Sequence, residues 1–159
     1  GCTSTTDCTD ATNSVQYAAI DDYGNLGTWN TGGNLPADRT WGQLEVAGGT
    51  LYYIGGQGDS STDERAEVYS TTSISTGNPT WSGTAASNGL PAARTQHGAT
   101  VWNNRIYVTG GNDTSAAASA TVYVSPDLSA GGNISSAWST TTSFDVARNG
   151  HTAIAYAII

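Results

Sequence analysis

The chain has 159 residues and a formal net charge of −8, and a chain of this length buries roughly 70% of its unfolded surface, enough for one domain with a core. The net negative charge excludes nucleic acid as a predicted partner and argues against an anionic membrane surface, since both need clustered cations. No apolar run approaches the roughly 20 residues needed for membrane insertion.

The composition favours an all-β protein. Glycine, serine and threonine are abundant, and five tryptophans and eight tyrosines accompany a single phenylalanine. Short runs of valine, isoleucine, tyrosine and tryptophan alternate with clusters of glycine, asparagine, aspartate and serine. Branched and aromatic side chains suit a pleated sheet, while the polar clusters supply turns.

The two cysteines lie close together near the start of the chain, at Cys2 and Cys8. This segment has too few other ligands for a metal, and the spacing is not the C-x-x-C of a redox pair. We therefore predict a Cys2–Cys8 disulfide that closes a surface loop, with two free thiols as the alternative. A disulfide would place the protein outside a reducing cytosol, in the extracellular space or at the cell surface.

A repeated phrase marks three places along the chain. Leu35–Arg39 (LPADR) recurs as Leu90–Arg94 (LPAAR) and, more weakly, as Phe144–Arg148 (FDVAR), so that the arginines are 55 and 54 residues apart. LYYIGG at 51–56 matches IYVTGG at 106–111 at the same interval. A period of this length indicates a repeat architecture.

Each repeat predicts four short strands. The first follows the arginine, the second ends in a double glycine, the third carries valine and tyrosine, and the fourth carries tryptophan. Gly48-Gly49 and Asn103-Asn104 separate the first two strands. These residue types tolerate positive φ, which indicates tight hairpins and antiparallel neighbours.

With its arginine, double glycine, tyrosine and tryptophan in fixed order, the sequence resembles the kelch repeat family, in the form of a bacterial-type extracellular array. The resemblance implies a β-propeller, in which each repeat is one four-stranded blade. It divides the chain into a partial blade at 1–40 (third and fourth strands), blades at 41–95 and 96–147, and a first strand at 148–159.

About three blades are fewer than a closed ring of this family needs. We expect a segment excised from a longer propeller, in keeping with a first residue other than methionine. The alternatives are a ring completed by a second copy through self-association, and an open or otherwise completed arc.

The candidate binding residues all lie in or beside the arginine-containing phrases. Arg39, Arg94 and Arg148 would form an arc of guanidinium groups suited to carboxylates, or would tie their loops to neighbouring groups. A sugar-stacking role is open to Trp41. The binding candidates are Arg39, Trp41, Arg94, His97, Arg148 and His151.

No catalytic residue set, cofactor or metal site is predicted. His97 and His151 have no further ligands at suitable spacing, so structural hydrogen bonding is favoured over metal binding. The sequence thus predicts a non-catalytic binding or adhesion module whose loop face takes a protein or a carbohydrate. The alternatives are a structural subunit of a surface assembly built from incomplete propellers, and a non-catalytic part of a larger secreted enzyme.

Overall fold

The structure, a computed structural model, describes residues 1–2, 10–60, 62–73, 79–83 and 88–157. Over these residues the protein is all-β with antiparallel pairing, as the composition predicts. The strands are β1 (Gln16–Tyr17), β2 (Asn30–Thr31), β3 (Gln43–Ala47), β4 (Thr50–Ile54), β5 (Val68–Thr71), β6 (Ser82–Gly83), β7 (Gly98–Trp102), β8 (Arg105–Thr109), β9 (Val122–Val124) and β10 (Ser139–Thr141).

The strands form three sheets in which each strand pairs with its neighbour in sequence. The first sheet contains β1 and β2, the second contains β3-β4-β5-β6, and the third contains β7-β8-β9-β10. All pairs in these sheets are antiparallel. Two-residue turns of glycine or asparagine join β3 to β4 and β7 to β8, whereas the other connections within the sheets are longer.

The two predicted hairpin turns are present and equivalent. Ala47 pairs with Thr50 across Gly48-Gly49, and Trp102 pairs with Arg105 across Asn103-Asn104. All four turn residues have positive φ, between 49° and 72°. The turn chemistry therefore sets the register of both hairpins.

The main core lies between the second and third sheets, where β3 packs against β7. Tyr52, Ile54 and Val68 from the second sheet and Ile106 from the third sheet are completely buried. A smaller cluster between the first and second sheets contains Leu35, Tyr53 and Tyr69, with Val15 and Trp81 packed against it. The apolar strand residues thus hold neighbouring sheets together.

An equivalent hydrogen bond links each of the three arginine-containing phrases to a glycine. Two of these glycines follow the second strand of a sheet, and Gly1 holds the same position in the repeat. In each case the glycine nitrogen donates to the arginine carbonyl oxygen. The pairs are Gly1 with Arg39 at 2.7 Å, Gly56 with Arg94 at 2.8 Å, and Gly111 with Arg148 at 2.9 Å. These hydrogen bonds therefore recur at the same interval as the sequence repeat.

Residues 142–157 contain no strand, and their one ladder-type pairing is the isolated bridge of Arg148 with Ser119. The segment runs beside β7, where the Ala155 N–H donates to Thr100 Oγ1 at 3.1 Å. Cys8 lies outside the described residues, so the Cys2–Cys8 disulfide stays a prediction.

Candidate binding site

Two of the three candidate arginines are buried structural residues. Arg39 and Arg94 are only 2% and 5% exposed. Arg39 Nη2 donates to the Tyr69 hydroxyl at 2.6 Å, and Arg94 Nη2 donates to the Tyr123 hydroxyl at 3.0 Å. Each guanidinium also lies over the ring of its tyrosine, about 5 Å from the centroid. These two side chains tie the start of a sheet to its third strand.

Each of these two guanidinium groups forms further bonds. Arg39 forms an ion pair with Glu67 at 3.5 Å, whereas Arg94 donates to Ser119 Oγ at 3.1 Å. Each arginine also donates from Nη1 to the carbonyl of the residue before it. A buried guanidinium needs such partners because burying an unpaired charge is costly.

Arg148 differs from its two equivalents. It is exposed, and its guanidinium lies 4.8 Å from the centre of the Phe144 ring. Its Nε donates to the Val146 carbonyl at 3.4 Å. Of the three arginines, Arg148 is therefore the one whose side chain is accessible to a ligand.

His97 is completely buried at the junction between the second and third sheets. Burial, followed by the charge of Arg94, lowers the pKa of His97 to about 4. A hydrogen bond with the Arg94 backbone opposes this lowering in part. Because its pKa lies well below 7, the ring is neutral at pH 7.

His151 occupies the equivalent position at the end of the third sheet. Its Nε2 lies 2.9 Å from Thr109 Oγ1, and its ring meets the Phe144 ring edge-on with centroids 5.5 Å apart. Burial and the charge of Arg148 lower the pKa of His151. His97 and His151 thus hold equivalent positions in successive repeats, and both rings are neutral at pH 7.

Between the first and second sheets, a different pair of residues stands at the positions that correspond to His97 and its neighbour Val108. Gly42 stands where the later repeats have His97 and His151, and a Cβ there would lie 2.5 Å from the ring of Tyr53. Val108 replaces this tyrosine in the third sheet. A glycine beside a tyrosine therefore fills the space that a histidine beside a valine fills one repeat later.

Trp41 is the first in a row of three residues that each stand two positions after a repeated arginine, and all three have a left-handed backbone conformation. Trp41, Gln96 and Gly150 have φ values of 57°, 54° and 63°. The Gln96 N–H donates to the Trp41 carbonyl at 3.1 Å, and the Gly150 N–H donates to the Gln96 carbonyl at 2.8 Å. A bulky residue with positive φ is a backbone outlier, and such strain is concentrated at functional sites.

This row borders a cavity of about 320 Å³, which we call the loop-face cavity. Trp41 is 49% exposed at its edge. The cavity brings together three of the six candidate residues, Trp41, His97 and His151. Its lining residues are Trp41, Gly42, Gln43, Gln96, His97, Gly150 and His151.

The sequence did not predict the roles of Gln43 and Gln96 in the cavity. Gln96 was recognisable as the counterpart of Trp41, two residues after an arginine, but nothing marked the backbone strain that the two share. Gln43 has no repeating signature. Amide groups and an exposed indole form a surface suited to hydroxyl-rich ligands, since amides offer donors and acceptors while the ring offers an apolar face.

No group of three or more histidine, cysteine, aspartate or glutamate side chains within the described part of the chain is placed to hold a metal ion. Over the same residues, no helix is long and apolar enough to cross a bilayer.

No protein-family model matches the chain, and no curated protein matches it.

Proposed function

We propose that the protein is a non-catalytic, extracellular or surface-exposed binding module whose loop-face cavity takes a carbohydrate. In this proposal the three sheets are successive blades of a kelch-type β-propeller. The recurrent glycine–arginine backbone bonds support that arrangement, because they repeat with the sequence period. The predicted Cys2–Cys8 disulfide supports the location.

The observation that carries the binding proposal is the strained, exposed position of Trp41. Its backbone is held at φ 57°, although the same position is a glycine at Gly150. Left-handed backbone costs a non-glycine residue about 1 kcal/mol or more. The exposed half of this large apolar ring lies in water, and a sugar face stacked on the ring would cover it.

The polar lining suits the same class of ligand. Gln43 and Gln96 supply amide donors and acceptors. With the arginine side chains of Arg39 and Arg94 engaged internally, the site favours neutral oligosaccharides over polyanionic ones.

The test is a screen of immobilised neutral and acidic oligosaccharides with the intact protein. We expect binding to one or more neutral sugars, accompanied by a change in tryptophan fluorescence on titration with the same sugar in solution. Absence of binding throughout the panel, or binding restricted to polyanions and abolished by 0.5 M salt, would contradict the proposal, since exposed charges are strongly screened at that salt concentration, where the Debye length is roughly 4 Å.

A further inference from the structure

A small cavity of about 210 Å³ lies between the segment that leads into β5 and the arginine-containing phrase that leads into β7. We call it the Glu64 cavity. Its lining residues are Glu64, Arg65, Ala66, Glu67 and Ala93. It shares no lining residue with the loop-face cavity and is therefore separate from the proposed carbohydrate site.

Glu64 lines this cavity as a buried carboxylate without a partner. The residue is only 9% exposed, and its Oε2 accepts no hydrogen bond from the described residues. None of the ion pairs among those residues includes Glu64. Because an unpaired charge is costly to bury, this oxygen is an acceptor suited to a cation that enters the cavity.

The neighbouring arginines are already paired with other carboxylates. Arg65 Nη2 lies 2.5 Å from Asp63 Oδ2, and Arg65 Nη1 lies 4.0 Å from Glu67 Oε1. Arg39 Nη2 lies 3.5 Å from Glu67 Oε2. Two guanidinium groups thus accompany the three carboxyl side chains of Asp63, Glu64 and Glu67, and Glu64 is the one that lacks a paired cation.

The other repeats show that the fold does not need a carboxylate at this position. Glu64 forms an isolated bridge that recurs in each repeat, and the residue in its place is alanine in both of the others. The three bridges are Cys2–Ala11, Gln57–Glu64 and Asn112–Ala118. The charged residues that follow, Arg65 and Glu67, likewise give way to Ser119 and Thr121 in the third repeat. A charge that only one repeat carries indicates a role beyond support of the fold.

The lining favours an ammonium group over other cations. No three histidine, cysteine or acidic side chains in the described ranges are grouped to hold a metal ion. The two buried acceptors, Glu64 Oε2 and Glu67 Oε2, belong to different residues. An ammonium group has three donors that point in different directions, whereas a guanidinium fork matches the two oxygens of one carboxylate. Ala66 and Ala93 offer methyl groups against which an alkyl chain can pack.

We propose that the Glu64 cavity binds a primary alkylammonium group, with Glu64 as the carboxylate that accepts a hydrogen bond from it. None of the 159 residues is a lysine, so none of them can supply an ammonium side chain. The same chemistry is carried by a lysine side chain of a partner polypeptide and by a free alkylamine. The net charge of −8 favours the approach of either cation.

The experiment is a nuclear magnetic resonance titration of the intact, isotope-labelled protein with three probes. These are a blocked peptide with one lysine between glycines, the same peptide with Nε-acetyllysine, and butylamine. We expect saturable shifts of the Glu64, Ala66 and Glu67 amide signals with the lysine peptide. The acetylated peptide should bind at least tenfold more weakly, because it loses the charge-assisted hydrogen bond.

The butylamine arm distinguishes the two sources. Tighter binding of the lysine peptide than of butylamine assigns the group to a polypeptide, and equal affinities assign it to a free amine; both results support the proposal. Absence of saturable shifts, shifts away from residues 64–67, or equal affinities for the two peptides would overturn it.

A set of variants tests the role of the carboxylate. Glu64→Gln keeps the size of the side chain and removes its charge, and Glu64→Ala introduces the residue found at Ala11 and Ala118, so both should fold with at least the wild-type free energy of unfolding. Each should bind the lysine peptide at least tenfold more weakly. Asp145→Asn is the control, because it makes the same change of charge at an exposed position outside the cavity. Wild-type affinity in Glu64→Gln, or an equal loss in Asp145→Asn, would contradict the proposal.

Discussion

The His97 ring lies directly against the backbone of Gly55, so that a Cβ at Gly55 would be 3.1 Å from His97 Cε1 and 2.6 Å from the Arg94 carbonyl oxygen. The next junction repeats the arrangement, with a Cβ at Gly110 placed 2.8 Å from His151 Cε1 and 2.6 Å from the Arg148 carbonyl oxygen. The first glycine of each double-glycine pair is therefore the contact point for the following repeat.

Gly55→Ala should destabilise the protein by about 3 kcal/mol, because it combines a positive φ with a clash against backbone. Gly49→Ala is the matched control. Gly49 has φ +72° and no heavy atom within 4 Å of a Cβ, so it should cost only about 1 kcal/mol for the backbone conformation. Urea unfolding measures both, and equal costs would mean that the sheet junction does not depend on close approach at Gly55.

Arg94→Lys should cost about 2 to 3 kcal/mol, although it keeps the charge. Lysine cannot form the guanidinium fork that reaches Ser119 and Tyr123, and the vacated hydroxyl groups are left with weaker partners. The exposed equivalent provides the control, since Arg148→Lys should change the free energy of unfolding by less than about 0.5 kcal/mol. Similar losses for both would contradict the structural role of Arg94.

Acid should destabilise the protein through His97. Its pKa is lowered to about 4 in the folded protein, against about 6.5 in an unfolded chain. The contribution is therefore fully present above pH 6.5 and falls by up to about 3 kcal/mol as the pH drops to 4, because the unfolded state takes up the proton first.

The measurement for His97 is the free energy of unfolding between pH 7 and pH 4, compared with that of His97→Gln. Subtracting the two profiles removes the contribution of the carboxyl groups common to both proteins. The wild type should lose more stability over this interval than the variant. Parallel profiles would show that the His97 ring is not buried in its neutral form.

The sequence predicts the strands of the second and third sheets, because turn residues and apolar runs are local signals, whereas residues 148–157, within the predicted first strand at 148–159, contain no strand. Its period even locates equivalent hydrogen bonds, since Trp81 and Trp138 donate their indole N–H groups to the Gly33 and Asn88 carbonyls. Trp29 is the corresponding residue of the first repeat, 52 residues before Trp81, but is 61% exposed. Periodicity assigns a position within the repeat, while burial depends on the neighbouring sheet that packs on that position.

The candidate site was predicted only in part, for a related reason. A repeated arginine is compatible with ligand binding or with hydrogen bonding inside the protein. Which role it takes depends on whether a tyrosine hydroxyl lies within reach across the sheet, as it does for Arg39 and Arg94. The shared cavity of His97 and His151 depends on the distance between sheets. Neither quantity is encoded in the spacing of residues along one strand.

Trp41→Gly should leave the fold intact. Glycine adopts a φ of 57° without the penalty that tryptophan carries, and the equivalent Gly150 already does so. The free energy of unfolding should stay constant or rise by up to about 1 kcal/mol. A loss of more than about 1 kcal/mol would show that the indole contributes to packing.

The affinity of Trp41→Gly for a neutral oligosaccharide selected on the wild type, measured by calorimetry, tests the central claim most directly. Trp102→Ala is the control, because Trp102 is similarly exposed at 45% but lies outside the loop-face cavity. We predict at least tenfold weaker binding for Trp41→Gly, with unchanged stability, and wild-type affinity for Trp102→Ala. Wild-type affinity in Trp41→Gly would contradict the assignment of the loop-face cavity as the binding site.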